Sequence, residues 1–235
     1  MNKKHLFGVM LLSLSMMFAC TGNNQNQQEN NNQESNNQEV KEAMPGNLLI
    51  IVDPQIDFTT GSLAVAKGPE AMDVLAKVFE AGLGDKYTQI IVTQDFHPAN
   101  HCSFVEQGGV FPPHCVQGTE GVNVYPALQE ALNNVESTPI TYLTKGNLAD
   151  KEEFSIFQNE ENGAVLTKLI NDNKYEGIDI CGIASDYCVY ETAKDLVSFY
   201  PAEKVRIATN CIASVSDDQK LVDFMNETGV QAITF

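Results

Sequence analysis

The chain has 235 residues and a formal net charge of −17, which becomes −19 without residues 1–19, because that segment holds two lysines and no acid. Such a charge disfavours binding to nucleic acid and to anionic membrane surfaces. No internal repeat is visible, and residues 47–235 are long enough to bury one hydrophobic core. We therefore expect one acidic globular domain over 47–235 that does not bind nucleic acid.

The first 20 residues have the pattern of a bacterial export signal. A basic start at residues 2–5 precedes an apolar run of 14 residues, 6–19, which is too short to span a bilayer comfortably. The run ends in a small residue directly before Cys20, which resembles the lipobox of bacterial lipoproteins. We expect a lipoprotein signal peptide over 1–19 and a lipid on Cys20. An ordinary secretory signal with a coincidental cysteine is the alternative.

The next segment, residues 20–46, is predicted to be a disordered tether behind the lipidated cysteine. Within residues 21–40, 13 are Asn or Gln, so little apolar surface is available for burial. A flexible segment of this length spans about 28 Å. We thus expect an exported protein, held by its lipid anchor on the periplasmic or cell-surface side of a bacterial membrane, with no other membrane contact.

The rest of the chain alternates predicted strands and helices. The run at 48–52 is continuously apolar, as in a strand buried on both faces of a parallel sheet. The pattern predicts a three-layer α/β/α fold around a doubly wound, mostly parallel six-stranded sheet. Strands are predicted at 48–52, 89–93, 139–144, 176–182, 204–209 and 230–235, and helices at 69–81, 122–132, 161–173, 185–198 and 216–228.

Three chemically reactive side chains follow three different predicted strands. Asp53, Lys145 and Cys188 each stand at a carboxyl end, and in a parallel sheet these ends share one edge. The three can therefore converge. The plainer interpretation is a turn aspartate, a solvated lysine and a buried core cysteine.

Cys188 is predicted to lie in the first turn of a helix. Ser185 and Asp186 before it are N-cap residue types. The positive end of a helix dipole lowers the pKa of a thiol, and the N–H groups of that turn could bind an oxyanion. We therefore expect Cys188 to have a lowered pKa.

Apart from His5, every histidine lies between positions 97 and 114, beside Asp95. Asp95 and His97 project to the same side of an extended chain, and a loop could return His101 and His114. An aspartate with two or three histidines suits zinc, iron or manganese. Isolated surface histidines are the alternative, and ligation by the nearby thiolates of Cys102 or Cys115 is a lesser one.

Taken together, the motifs resemble the isochorismatase-like cysteine hydrolases, and within them the nicotinamidase/pyrazinamidase group. The resemblance extends over essentially all of 47–235. The metal motif is specific, because it separates nicotinamidases from the metal-free isochorismatases. The matching stretches are 51–58, 62–65, 95–101, 112–119, 145–146 and 182–189.

The resemblance implies a role for each reactive residue. Cys188 is the nucleophile, Asp53 is the general base, and Lys145 holds and tunes Asp53. The N–H groups of Ala184 and Cys188 form the oxyanion hole, with a cis peptide bond between Ile183 and Ala184.

The resemblance also implies one divalent transition metal. Asp95, His97 and His114 would be its ligands, and His101 either a ligand or a support for the ligands. Zn²⁺ is the first choice, with Fe²⁺ and Mn²⁺ as alternatives. Its open position would accept a pyridine nitrogen.

The substrate pocket is expected at Phe58, Phe111 and Phe154. Phe111 stands where the group often has Trp, and Phe154 where it usually has Tyr, which keeps an apolar wall but removes a polar handle. The lipoprotein-like start is also unusual, because nicotinamidases are mostly cytoplasmic.

We therefore expect hydrolysis of nicotinamide, and of pyrazinamide, to the acid and ammonia through a thioester. The alternatives are another small-amide hydrolase of the superfamily, or a surface lipoprotein that binds a metal or ligand without catalysis. The sequence leaves the oligomeric state open, a homo-oligomer included.

Overall fold

The computed structural model of the protein describes residues 46–235. The predicted signal peptide 1–19, the Cys20 lipidation site and the tether 20–46, except its last residue, lie outside the described residues. Within residues 46–235, no helix has both the length and the apolar character needed to cross a membrane.

Six parallel strands form one sheet in the order β3-β2-β1-β4-β5-β6. This confirms the predicted α/β fold, and every neighbouring pair of strands is parallel. The strands are β1 (Asn47–Val52), β2 (Gln89–Asp95), β3 (Ile140–Lys145), β4 (Gly177–Ile183), β5 (Val205–Ala213) and β6 (Gln231–Ile233).

Helices cover both faces of the sheet because successive side chains of the central strands point to opposite sides. Leu49 and Ile51 pack in the hydrophobic cluster under α2 and α3, whereas Leu48 and Ile50 pack in the cluster under α4, α5 and α6. The helices are α1 (Ile56–Thr59), α2 (Gly68–Glu80), α3 (Pro126–Asn133), α4 (Glu160–Asn173), α5 (Tyr190–Val197) and α6 (Gln219–Thr228).

Several elements differ from their predicted bounds; the helix predicted at 185–198, for example, is α-helical over Tyr190–Val197. Two of the differences have identifiable reasons. Helix α3 begins at Pro126 rather than at 122, because proline suits the first turn of a helix, where its missing N–H costs nothing. Strand β5 continues to Ala213 rather than ending at 209. The polar Thr209 and Asn210 fall in an irregularity of the ladder, after which Ile212 pairs with Gly182.

The end of β4 lies unusually close to β1. Gly182 pairs in register with Val52 and has φ +118°, and a Cβ there would lie 2.0 Å from the Val52 carbonyl oxygen. Only glycine fits both the conformation and the space. This close approach brings the carboxyl ends of β1 and β4, and hence Asp53 and Cys188, to one point of the sheet edge.

Replacement of Gly182 by alanine tests this packing. Gly182→Ala is expected to lower the free energy of unfolding by about 1–3 kcal/mol more than Gly229→Ala, since overpacking adds to the shared backbone cost. Gly229 has φ +86° at the end of α6 and open space around its Cβ position, so it controls for conformation alone. Equal losses in urea unfolding would contradict the close approach.

Candidate active site

The carboxyl ends of the three strands β1, β2 and β3 place a lysine between two aspartates. Lys145 Nζ lies 2.9 Å from Asp53 Oδ2, pairs with Asp95 Oδ1, and lies 3.6 Å from Cys188 Sγ. All four side chains are buried. The structure therefore brings Asp53, Lys145 and Cys188 together, as their strand-end positions predicted. The sequence did not indicate that Lys145 also pairs with Asp95.

Asp53 is held so that one carboxylate oxygen stays available. Its backbone adopts φ +46°, its N–H donates to the Thr93 carbonyl oxygen at 3.1 Å, and the Thr93 hydroxyl donates to Oδ1 at 2.7 Å. Oδ2 forms the ion pair with Lys145 but has no aligned hydrogen bond within the described residues. An Asp53 oxygen and Cys188 Sγ lie within 4.8 Å of each other, which places the carboxylate beside the thiol.

The surroundings push the pKa values of the two aspartates apart. Burial raises the pKa of Asp53, and the Asp95 charge raises it further against the opposing effect of Lys145. Burial also acts to raise the pKa of Asp95 and is the largest single effect, but Lys145, His97 and His114 together outweigh it, so the pKa falls below its ordinary value. Burial alone would lower the pKa of Lys145, but the two carboxylates raise it well above normal, so the ammonium persists. Asp53 is thus the carboxylate suited to accept a proton.

The predicted lowering of the Cys188 pKa is not what the structure supports. Cys188 is 5% exposed, and burial raises its pKa well above the ordinary value; Lys145 acts in the opposite direction, and Asp53 raises it further. The turn that carries it, Ser185–Val189, is wider than an α-helical turn, with Val189 N–H donating to the Ala184 carbonyl oxygen at 3.0 Å. Burial therefore favours the neutral thiol of Cys188, which needs a base to take its proton.

Ser185 and Asp186 do not cap their own helix, contrary to the prediction from residue type. The Ser185 hydroxyl donates to the Asp218 carboxylate, and the Asp186 carboxylate accepts from backbone N–H groups of the loop after β5. The peptide bond between Ile183 and Ala184 is cis, as the resemblance implied.

Asp95, His97 and His114 form a cluster that fits a metal. Their ligand atoms all lie within 4.8 Å of one another, and all three side chains are buried. Nδ1 of His97 lies 2.9 Å from the Gly146 carbonyl oxygen, and Nδ1 of His114 lies 2.8 Å from that of Pro112. A carbonyl can only accept, so Nδ1 carries the hydrogen in both rings and Nε2 keeps a lone pair for a metal.

His101 lies behind this cluster. Its ring stacks on His97 with centroids 3.9 Å apart, while Nδ1 contacts the Ser103 hydroxyl at 2.7 Å and Nε2 the Lys151 carbonyl oxygen at 3.0 Å. His101 also groups with His97 and Glu152 as a possible ligand. The Lys151 carbonyl oxygen can only accept, however, so Nε2 of His101 carries a hydrogen. Of the two predicted roles, the geometry favours support of the ligand His97.

The lesser prediction of thiolate ligands finds no support. Cys102 and Cys115 belong to none of the clusters of metal-binding side chains within residues 46–235. Burial raises the pKa of both thiols, which disfavours the thiolate form that a metal binds.

An aromatic pocket opens beside the nucleophile. The predicted residues Phe58, Phe111 and Phe154 line it together with Ala184 and Cys188. Phe58 and His114 have ring centroids 5.4 Å apart, and those of Phe111 and Phe154 are 6.5 Å apart. Aromatic walls of this kind suit the apolar face of a planar ring, and Cys188 lies at the same pocket.

Sequence reasoning missed several residues of the site. Tyr187 packs against Phe111 and Phe154, with centroids at 5.7 and 5.5 Å, and its position next to Cys188 was a usable signal. Buried Gln55 accepts from the Asp95 N–H and donates to the Asp95 carbonyl oxygen, both at 2.8 Å. The hydrophobic periodicity of the sequence could not identify Gln55, because its role is to hydrogen-bond the backbone at the end of a neighbouring strand.

Asp57, in the segment after β1, has a structural role. Its carboxylate accepts from the Cys115 N–H at 2.6 Å and from the Ser62 N–H at 3.0 Å. It therefore holds together the loop that follows β1 and the loop that carries His114.

Comparison with known proteins assigns the class that this fold and site define. The family model described as Isochorismatase domain matches residues 47–234, and the chain belongs to this family. It is 31% identical to the nicotinamidase of Escherichia coli K12, over 71% of this chain and 83% of that protein. It is 33% identical to the nicotinamidase/pyrazinamidase of Mycobacterium tuberculosis, over 72% of this chain and 88% of the other.

Solved structures show the same similarity. The pyrazinamidase of Pyrococcus horikoshii in complex with zinc superposes with a TM-score of 0.66 at 28% identity, covering 81% of this chain and 100% of that one. PnC1 from L. infantum in complex with nicotinate gives 0.69 at 29% identity, covering 82% of this chain and 94% of the other.

Lys145 is expected to be essential to the stability of the site. Lys145→Met leaves two buried carboxylates without their cation and should lower the free energy of unfolding by about 3–5 kcal/mol. Lys168→Met removes an exposed lysine whose ion-pair partner among residues 46–235 is Asp172, and it should cost about 0.5 kcal/mol or less. Urea unfolding of both variants measures the difference, and a small loss at Lys145 would show that the aspartates do not depend on it.

Proposed function

We propose that the protein hydrolyses nicotinamide to nicotinate and ammonia, with Cys188 as the nucleophile. The observation that carries the proposal is the cluster of Cys188, Asp53 and Lys145 beside a pocket walled by aromatic rings. The sequence relatives that are named nicotinamidases support the choice of nicotinamide as substrate. Pyrazinamide presents the same carboxamide on a similar ring and is the second expected substrate.

The first half of the reaction forms a thioester. Asp53 takes the thiol proton as sulfur attacks the carboxamide carbon, because the raised pKa of Cys188 leaves the resting group neutral. The oxyanion that develops lies by the N–H groups of Ala184 and Cys188, which stand on the turn beside the attacking sulfur. Asp53 then returns its proton to the amine, and ammonia leaves.

The second half releases the acid. Asp53 takes a proton from water, the resulting hydroxide attacks the thioester carbon, and the proton passes to the Cys188 sulfur as the C–S bond breaks. The acid formed loses its remaining proton to solvent and leaves as nicotinate. The raised pKa of Asp53 suits it to both transfers, and the Thr93 hydroxyl keeps its carboxylate in place throughout. Lys145 stays charged and compensates the carboxylates at each stage.

The metal has a separate role, because a thiol with a base can cleave an amide without one. Two imidazole nitrogens and a carboxylate oxygen suit a divalent transition metal, and we propose Zn²⁺ at Asp95, His97 and His114. Bound there, it would supply a Lewis-acid position for the pyridine nitrogen of the substrate. His101, stacked on His97, and the Gly146 carbonyl hold the ligand ring in its orientation.

The nucleophile and base are tested by ammonia release from nicotinamide. Cys188→Ala should reduce the rate at least about a thousandfold, and Asp53→Asn by about 10²–10⁴-fold, because one removes the attacking atom and the other its base. Cys102→Ala, a thiol outside the pocket, should retain the rate and serves as control. Substantial turnover by Cys188→Ala would overturn the assignment.

The ring nitrogen is tested with three amides. Nicotinamide and pyrazinamide should react far faster than benzamide, which has the same amide but no ring nitrogen. A chelator, or His97→Ala, should remove most of this preference, because positioning of the ring is what the metal contributes. Ammonia release is compared at matched thermal unfolding. Equal rates on benzamide and nicotinamide in the metal-loaded protein would show that the metal does not position the ring.

We further propose that the protein is exported and lipid-anchored through Cys20. Support comes from the sequence pattern of residues 1–20 alone. In a bacterial host the protein should partition with membranes, and Cys20→Ser should move it to the soluble fraction, since the acyl chains provide the attachment. Mass spectrometry of the N-terminal peptide identifies the lipid. A soluble, unlipidated protein would contradict the proposal.

A further inference from the structure

Ser185 and Asp186, which lie between Ala184 and Cys188 in the chain, contact a distant loop. Asp186 Oδ1 accepts from the Val215 N–H and Oδ2 from the Ser216 N–H, both at 2.9 Å. The Ser185 hydroxyl donates to Asp218 in the same loop. We call residues 214–218, between β5 and α6, the Val215 loop. Three side-chain hydrogen bonds therefore join this loop to the turn Ser185–Val189, which carries Cys188 and which we call the nucleophile turn.

Val215 itself lies in the wall of the aromatic pocket. It lines the cavity with Cys188, Ala184 and Tyr187, and it is 44% exposed. A half-exposed valine contributes little to the core. Its place in the pocket wall thus depends on where the Val215 loop is held.

We propose that Asp186 is a positioning residue that holds Val215 against the ring of the bound amide, and that Val215 determines which ring substituents the pocket accepts. The proposal rests on the proposed amidase function and adds to it. Both carboxylate oxygens of Asp186 accept hydrogen bonds from the Val215 loop, so we assign Asp186 to holding this loop rather than to the reaction at Cys188. A fixed valine at the wall excludes rings that carry an extra group on that side.

Hydrogen bonds to a charged carboxylate are stronger than neutral ones, so their loss should release the loop. In Asp186→Asn the amide has one acceptor oxygen, so one of the two N–H groups loses its partner. Val215 could then move away from the pocket, although the substitution removes no atom that contacts the substrate. Val215→Ala opens the same wall directly.

The experiment compares wild type with Asp186→Asn, Val215→Ala, the double variant and Asp223→Asn. Asp223 is an exposed aspartate on α6 whose carboxylate accepts from Gln219, so it controls for the change of charge. Each protein is assayed for ammonia release from nicotinamide and from nicotinamides methylated at ring carbons 2, 4, 5 and 6. Thermal unfolding confirms that each variant is folded.

We expect Asp186→Asn to raise KM for nicotinamide about tenfold, with a smaller change in kcat, as for the loss of one charge-assisted hydrogen bond. Both single variants should increase the relative kcat/KM for at least one methylated amide. In the double variant the two effects on KM should not add, because both act through the same wall. Asp223→Asn should behave as wild type.

Three results would overturn the proposal. One is a fall in kcat of Asp186→Asn with unchanged KM and unchanged preference, which would mean that Asp186 acts on the nucleophile turn alone. Another is a Val215→Ala variant with the substrate preference of wild type. The third is full additivity in the double variant. These leave the proposed function intact, whereas a wild-type protein that releases no ammonia from any of the amides would overturn both.

Discussion

The site depends on one buried ammonium group. Lys145 has no exposed surface, and its Nζ contacts Asp53, Asp95 and Cys188 from three other strand ends. Two carboxylates could not be buried this close together without a cation, because the desolvation of like charges would exceed anything that packing returns. The lysine therefore couples the charges of the active site and the candidate metal site. Asp95 belongs to both, because it pairs with Lys145 and lies in the cluster with His97 and His114.

Burial also determines how the nucleophile is used. A thiol at a helix start is expected to be activated by the helix dipole, yet here burial raises the pKa of Cys188 and the turn is a wide one. Activation then comes from a neighbouring base, and the same burial raises the pKa of that base, Asp53. One dry environment thus keeps the thiol neutral at rest and gives the carboxylate the basicity to take its proton.

The surrounding loops are anchored by acids and amides that take no part in the chemistry. Asp57 joins two loops near His114, Gln55 fixes the backbone of Asp95, and Asp186 holds the loop that carries Val215. Each of these side chains accepts a hydrogen bond from at least one backbone N–H group at the site. The pocket is accordingly built by polar contacts to backbone, although its walls are apolar.

The alternation of apolar runs and helical periods determined the fold class and the order of elements, because burial of a parallel sheet leaves that pattern in any sequence. Strand-end positions also determined that Asp53, Lys145 and Cys188 would share one edge. Tertiary structure alone decided the pairing of Lys145 with both aspartates, the place of His101 behind His97, and the contacts of Ser185 and Asp186 with the Val215 loop. It also decided the direction of the Cys188 pKa shift. These features depend on distances between segments far apart in the chain and on the exclusion of water from the site. A local sequence pattern predicts neither of them.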